Sequence, residues 1–327
     1  MLVDCHVHLV PPALDRRDGG AAWRPRFRRE GGVQLAEVGG RTARIGPADI
    51  TSLEDALDAA RGRGLDGVVV CPWIQLAGDQ FDSPADARDA ARTQNDELAR
   101  LVGPRVGALG TVPLRQVDAA VRELQRAHSL GLSGVEVGAS VGGVFLGDDA
   151  FEPFWTAAER LGAVVFVHPT ARGIHASALE GYFLWNSVGN PLETTVTAAH
   201  LVLAGVLDRH PALTVLLAHG GGAVAALRGR LQRAWSSQPE ARARSRLLPR
   251  DALRRFLYDT VVYDAAVLHD LATFVGADRL LIGSDHPFEM AEPDPLRLVQ
   301  EAGLDAAGLG RTASAVFGLE ADLGPDG

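Results

Sequence analysis

Short apolar runs alternate with amphipathic stretches along most of the chain. The first run is Met1-Leu-Val-Asp-Cys-His-Val-His-Leu-Val10. Others follow at 67–72 (GVVVCP), 106–112 (VGALGTV), 134–137 (GVEV), 163–168 (AVVFVH), 213–219 (LTVLLAH), 257–263 (LYDTVVY) and 279–285 (RLLIGSD). Their near-continuous apolar character is that of strands covered on both faces, as in a parallel sheet. Helical patterns lie between them. Ser52-Leu-Glu-Asp opens one, with a serine cap and an acid three residues on. It carries Leu53, Ala56, Leu57 and Ala60 on one face and stops at Gly64. Further helices are expected at 84–102, 116–130, 150–161, 192–208, 222–235 and 266–275. Eight β segments with helical crossovers predict an α/β chain folded as a (β/α)8 TIM barrel. A doubly wound sheet would not need the eighth unit. The exception is 10–48, irregular and rich in Gly, Pro and Arg, with Trp23 and Phe27 interspersed. A segment this long reads as a functional loop or a small inserted subdomain. The expected organisation is one metal-dependent barrel domain over 1–327, with 9–50 as an insertion loop over the active site.

Composition narrows the function classes. The 327 residues carry a net charge of −9 and no basic block, so nucleic acid is not an expected partner. No apolar run reaches the length of a membrane span and no signal-peptide pattern precedes the first strand, so neither a membrane partner nor export is expected. The two cysteines, Cys5 and Cys71, sit in apolar runs suited to reduced, packed thiols, which fits a cytoplasmic enzyme. There is no lysine: all 32 basic residues are arginine. Schiff-base chemistry and a carbamylated lysine bridging two metals are thereby excluded.

Catalytic groups of such barrels stand at the C-terminal ends of the strands. Here the first strand ends in His6 and His8, the fifth in His168, the sixth in His219 and the eighth in Asp285. Alternation puts His6 and His8 on one face, and Cys5 and Val7 on the other, against the helices. Several imidazoles and one carboxylate on one rim form a ligand set for a borderline divalent ion such as Zn²⁺. His128, His200 and His269 fall on predicted helices and His210 ends one, so these read as solvated or packed. His175 and His286 lie in rim loops.

The ordered set HxH, VFVHP, AHGGG and SDHPF resembles the amidohydrolase superfamily. More narrowly, it is similar to the amidohydrolase-related branch typified by aminocarboxymuconate semialdehyde and γ-resorcylate decarboxylases. NPLETTVTAAHLVLAGVLDRHPALTVLLAHGGG (190–222), GLSGVEVGAS (131–140) and the Gly229-Arg230 and Ala234-Trp235 pairs carry the same likeness. The resemblance implies a metal-binding barrel in which His6, His8, His168 and Asp285 hold one divalent ion, zinc by first choice and manganese by second. It makes His219 an unligated acid/base, and with Asp285 the catalytic pair. The binuclear branches need a carboxylated lysine on the fourth strand, where this chain has Val135-Glu-Val137, so one metal is expected.

Two reactions fit these residues. In a decarboxylase the metal binds substrate oxygens while His219 or Asp285 delivers a proton to the carbon that loses CO2. In a hydrolase or hydratase metal-activated water attacks a lactone or amide. The branch favours non-oxidative decarboxylation of a small aromatic or unsaturated hydroxy or amino acid. A barrel that only binds its ligand is a third class, against which the intact ligand set argues. For the substrate, Arg44 and Arg172 are candidate carboxylate clamps, with Arg41 nearby in sequence. Trp73, Trp185 and Phe288, together with Tyr182, are candidate walls for a planar molecule. The resemblance also implies a homodimer in which the partner lends an arginine. The matching stretch, SSQPEARARSR (236–246), has Arg242, Arg244 and Arg246 out of register, which points away from aminocarboxymuconate semialdehyde itself.

Overall fold

The computed structural model describes residues 1–16, 20–170, 173–174 and 176–319. The opening run forms β1 (Val3–His8). Three strands follow in the insertion: β2 (Arg26–Glu30), β3 (Val33–Val38) and β4 (Arg41–Gly46). Next come β5 (Gly67–Cys71), β6 (Val106–Thr111) and β7 (Gly134–Gly138). A short hairpin, β8 (Ser140–Val141) and β9 (Val144–Phe145), precedes β10 (Val164–His168). β11 (Thr214–Leu217), β12 (Leu257–Asp259) and β13 (Leu280–Leu281) complete the series.

The eight long-range strands form one parallel sheet in the order β1-β5-β6-β7-β10-β11-β12-β13. Its ends meet. Cys5 N donates to Ile282 O at 2.7 Å, Asp285 N to His6 O at 2.9 Å and His8 N to His286 O at 2.7 Å. The eight-unit barrel expected from the alternation is therefore the fold.

Helices cover the outside. α1 (Leu53–Gly62) starts as the capping signal predicts, with Ser52 Oγ accepting from Asp55 N at 3.0 Å. α2 (Pro84–Ala99), α3 (Val117–Ser129) and α4 (Glu152–Leu161) fill the next crossovers. The helix expected at 192–208 is α5 (Asn190–Leu203) and α6 (Val206–Arg209), split at the left-handed Gly205. α7 (Arg228–Ser237) begins six residues later than the periodicity suggests, because the glycine-rich segment after β11 is drawn into turns. α8 (Pro249–Leu253), α9 (Ala265–Val275), α10 (Pro295–Glu301) and α11 (Ala306–Phe317) follow. No helix among the described residues is long and apolar enough to cross a membrane.

Two apolar layers result from strand alternation. Val68, Val70, Val135, Val137, Val165, Val167, Val215 and Leu217 face the helices. Val3, Cys5, Val69, Cys71, Leu109, Val164, Phe166, Leu216 and Leu281 fill the barrel. Phe317 and Leu319 join this inner cluster, where the strands begin.

Cys5 is a correction to the sequence reading, which placed it outside. Along β1 the register runs Val3↔Gly67, Asp4↔Val68 and then Val7↔Val70, so β1 carries one extra residue between Asp4 and Val7. This bulge lets Cys5 and His6, neighbours in sequence, both face inward. Both cysteines are free and buried. Burial pushes the Cys71 thiol up to about 12 and raises that of Cys5 as well. Iodoacetamide should therefore leave both unmodified in the folded protein and label both after denaturation. Prompt labelling of the native chain, read by mass spectrometry, would contradict the interior placement.

The insertion is more ordered than the irregular segment expected. β2, β3 and β4 form an antiparallel meander. Its two-residue turns, Gly31-Gly32 and Gly39-Gly40, have φ of 56°, 82°, 55° and 74°, the signs that a tight hairpin of this twist requires. Val10, Leu14, Trp23, Ala36, Ile45, Ile50 and Trp73 form a separate apolar cluster beneath it. The meander also meets the segment after β13: Gly46 approaches Pro287 O and Arg44 pairs with Glu289.

Candidate active site

Five of the strand-end residues singled out in the sequence converge at one end of the barrel. His6, His168, His219 and Asp285 each place a donor atom within 4.8 Å of the others. His8 joins them: its Nε2 is 3.1 Å from His6 Nε2 and 3.2 Å from Asp285 Oδ1. His6 Nε2 is 3.4 Å from the same oxygen, and His219 Nε2 is 3.5 Å from Asp285 Oδ2. The imidazole of His168 lies edge-on to those of His6, His8 and His219 at centroid distances of 5.2, 4.9 and 5.2 Å.

Three of the rings are fixed from behind. His6 Nδ1 is 2.7 Å from Asp259 Oδ2, His8 Nδ1 is 2.8 Å from Pro72 O and His168 Nδ1 is 2.9 Å from Pro169 O. Each partner accepts, so the proton sits on Nδ1 and the Nε2 lone pair faces the centre. His168 Nε2 is buried with no hydrogen-bond partner among the described residues. Lone pairs of His6 and His8 aimed at one another and at a carboxylate oxygen repel. A cation about 2.0–2.2 Å from each relieves this, and such a geometry places neighbouring ligand atoms roughly 3–3.5 Å apart. The donor set fits a divalent ion.

The electrostatics agree. Burial and the neighbouring imidazoles hold His168 well below the usual histidine range, in the neutral form that binds metal. Burial would lift the Asp285 carboxyl. The imidazoles around it override that and keep it well below the usual carboxylate range. For His219 burial acts downwards, and Asp285 and Asp259 more than offset it, so its pKa is raised. A second cluster, His8, Cys71 and Glu136, also brings donor atoms together. There His8 Nδ1 already meets Pro72 O and the Cys71 thiol stays neutral, so the group reads as packing beneath the site.

The loops are held to the same rim. Buried Glu193 of α5 accepts from Ser140 Oγ at 2.6 Å, Thr170 Oγ1 at 2.8 Å and Thr170 N at 2.8 Å. It thereby ties the exits of β7 and β10 together. Gly222, at φ 63°, closes the turn after His219, and a Cβ there would lie 2.1 Å from Pro191 O. His219 and Asp285 themselves have positive φ, 56° and 64°. Non-glycine residues in this costly conformation cluster at functional sites, although Tyr182, Phe183 and Tyr263 adopt it here as well.

The residues proposed to contact substrate are more dispersed. Phe288 stands beside the centre, its ring 5.1 Å from that of His8. Trp73 is buried in the cluster under the meander. Trp185, in a π-turn before α5, packs edge-on against Phe183 beside the nearly fully exposed Tyr182. Arg44 is half exposed, and Glu289 holds its guanidinium at 2.6 and 2.9 Å. Arg172 and His175 lie outside the described residues. His286 is buried beside Asp285, and burial pushes it down to about 4. Asp259 was not legible as a site residue, although an acid ending a buried strand is the signal that marked Asp285.

A family model described as amidohydrolase matches residues 3–318. The chain belongs to the amidohydrolase family. Among its curated relatives is a 2-amino-3-carboxymuconate-6-semialdehyde decarboxylase from Dictyostelium discoideum, 28% identical over 91% of this chain and 85% of the relative. A γ-resorcylate decarboxylase from Rhodococcus jostii is 30% identical over 72% of this chain and 78% of its own length. The fold is shared with the crystal structure of 2,6-dihydroxybenzoate decarboxylase from Rhizobium complexed with 2,6-dihydroxybenzoate. That match has a TM-score of 0.78 at 22% identity and covers 98% of this chain and 99% of that one. A dihydroxybenzoic acid decarboxylase from Polaromonas has a TM-score of 0.73 at 19% identity, covers 98% of each chain, and holds manganese and the inhibitor 2-nitroresorcinol.

Proposed function

We propose that this amidohydrolase-family chain is a metal-dependent, non-oxidative decarboxylase of a small aromatic or unsaturated carboxylic acid bearing a hydroxyl or amino group. The observation that carries this reading is the convergence of donor atoms from His6, His168, His219 and Asp285, with His8 Nε2 only 3.1 Å from His6 Nε2 and 3.2 Å from Asp285 Oδ1, in a chain whose relatives along most of its length are decarboxylases. His6, His8 and His168 through Nε2, and Asp285 through Oδ1, are the proposed ligands, and Zn²⁺ is the first choice for a set dominated by imidazole. Bound there, the ion supplies Lewis-acid polarisation of the substrate's oxygens.

The chain's own groups do the rest. His219, its Nε2 3.5 Å from Asp285 Oδ2 and its side chain partly exposed, is the group placed to carry a proton to the substrate. It delivers that proton to the ring carbon bearing the carboxylate. The carbon–carbon bond then breaks, its electron pair returns to the ring, and CO2 leaves. Phe288, its ring 5.1 Å from that of His8 and tilted 50° to it, is placed to bound a planar substrate from one side.

A panel of hydroxybenzoates and of amino- and hydroxymuconates, each incubated with metal-loaded protein, tests the reaction. We expect CO2 release with the carboxyl group replaced by hydrogen on the same carbon, seen by mass spectrometry of the product. Hydrolysis of a lactone or amide panel without CO2 from any acid would overturn it.

A further inference from the structure

We propose that Asp259 is a positioning residue that sets the metal ligand His6 and the proton donor His219 together, through one carboxylate at the end of β12. The inference rests on the roles given above to His6 and His219.

Asp259 is fully buried, and both its oxygens are engaged. Oδ2 lies 2.7 Å from His6 Nδ1 and accepts from His219 N at 3.0 Å. Oδ1 accepts from Gly220 N at 2.8 Å and Val261 N at 3.1 Å. A carboxylate only accepts, so four donors converge on it without conflict. Burial would raise this carboxyl, yet the facing imidazoles and amides hold it below its usual value.

Each contact has a separate consequence. The His6 contact fixes the proton on Nδ1, which leaves the unprotonated Nε2 lone pair facing Asp285 and His8. The two amide contacts lock the left-handed turn at His219 and Gly220, whose φ values are 56° and 59°. A side chain persists in that region only when its surroundings over-determine it. Held this way, the His219 ring points Nε2 at Asp285 Oδ2, 3.5 Å away. Asp259 touches none of the atoms facing the centre, so it acts through its neighbours.

Asp259→Asn keeps the shape and breaks the logic. An amide has one accepting oxygen, and its N–H groups then face either His6 and His219 N, or Gly220 N and Val261 N. We expect the affinity for Zn²⁺ or Mn²⁺, measured against a chromogenic chelator, to fall about 10–100-fold. At saturating metal kcat should stay lower by about 10²-fold with KM little changed, because His219 is misaimed. Unaltered metal affinity sinks the His6 half of the proposal, and full kcat at saturating metal sinks the His219 half.

Two measurements on the native chain decide the matter if the variant does not fold, and neither depends on which reaction is catalysed. In ¹⁵N-histidine NMR of metal-free protein, His6 should be the Nδ1–H tautomer with a strongly downfield proton. A His6 protonated on Nε2 refutes the proposal. The His219 and Gly220 amides should exchange slowly with deuterium, and fast exchange at both refutes it equally. Should no acid release CO2, the metal titration, the tautomer and the exchange rates still give their answer.

Discussion

His8→Ala is expected to lose metal and turnover together. The His8 imidazole is buried, with Nδ1 held by Pro72 O and Nε2 only 3.1–3.2 Å from His6 Nε2 and Asp285 Oδ1. Alanine removes one of four proposed ligands. The metal contributes several kcal/mol of charge stabilisation in such reactions, so its loss costs on the order of 10³-fold or more in kcat. Elemental analysis of the purified variant should find metal falling from one ion per chain towards none, with activity falling in parallel. His6→Ala should behave alike. A metal-depleted His8→Ala that keeps full activity would remove the ion from the mechanism.

His219→Asn should separate the two properties. His219 also lies within reach of His6, His168 and Asp285, so a centre that used it as a ligand in place of His8 is the competing arrangement. Two features favour the acid/base role. The His219 side chain is 12% exposed where that of His8 is 0%, and among the described residues its Nδ1 meets no acceptor that would fix it from behind. The three proposed histidine ligands all have such an acceptor. Asparagine can keep hydrogen bonds but holds no transferable proton, so kcat should fall about 10²–10⁴-fold while metal content stays at one per chain. Loss of metal in this variant would make His219 a ligand and require another proton donor.

What the sequence disclosed about this molecule follows from burial. β5, β10 and β11 are packed on both faces, so their apolar runs are continuous, and an imidazole at the end of such a run stands out. The converging histidines and Asp285 were visible for that reason. The meander was not, because Arg26, Arg28 and Arg29 interrupt a segment that buries little, and its only clear marks are the paired glycines. The bulge in β1 has no compositional signature at all, which is why Cys5 was placed on the wrong face. Asp259 escaped notice because one acid at a strand end resembles many others until its four donors are seen. Arg44 illustrates the reverse: its position suggests a free cation, and only the folded chain brings Glu289 across from the far end of the sequence to meet it.

The extra residue in β1 also separates two kinds of selection that a regular strand would join. Val3 and Cys5, on one side of the turn it makes, answer to the packing of the barrel floor; His6 and His8, on the other, converge with the site. Substitutions scanned along this strand should therefore lose their two-residue rhythm between Asp4 and Val7. Adjacent positions there would fail for unrelated reasons: Cys5 replaced by a larger side chain costs stability while the ion stays bound, and His6 replaced by an apolar one costs the ion. One inserted residue thus lets the floor of the barrel and its mouth drift independently, so the same apolar base can carry a different set of ligands.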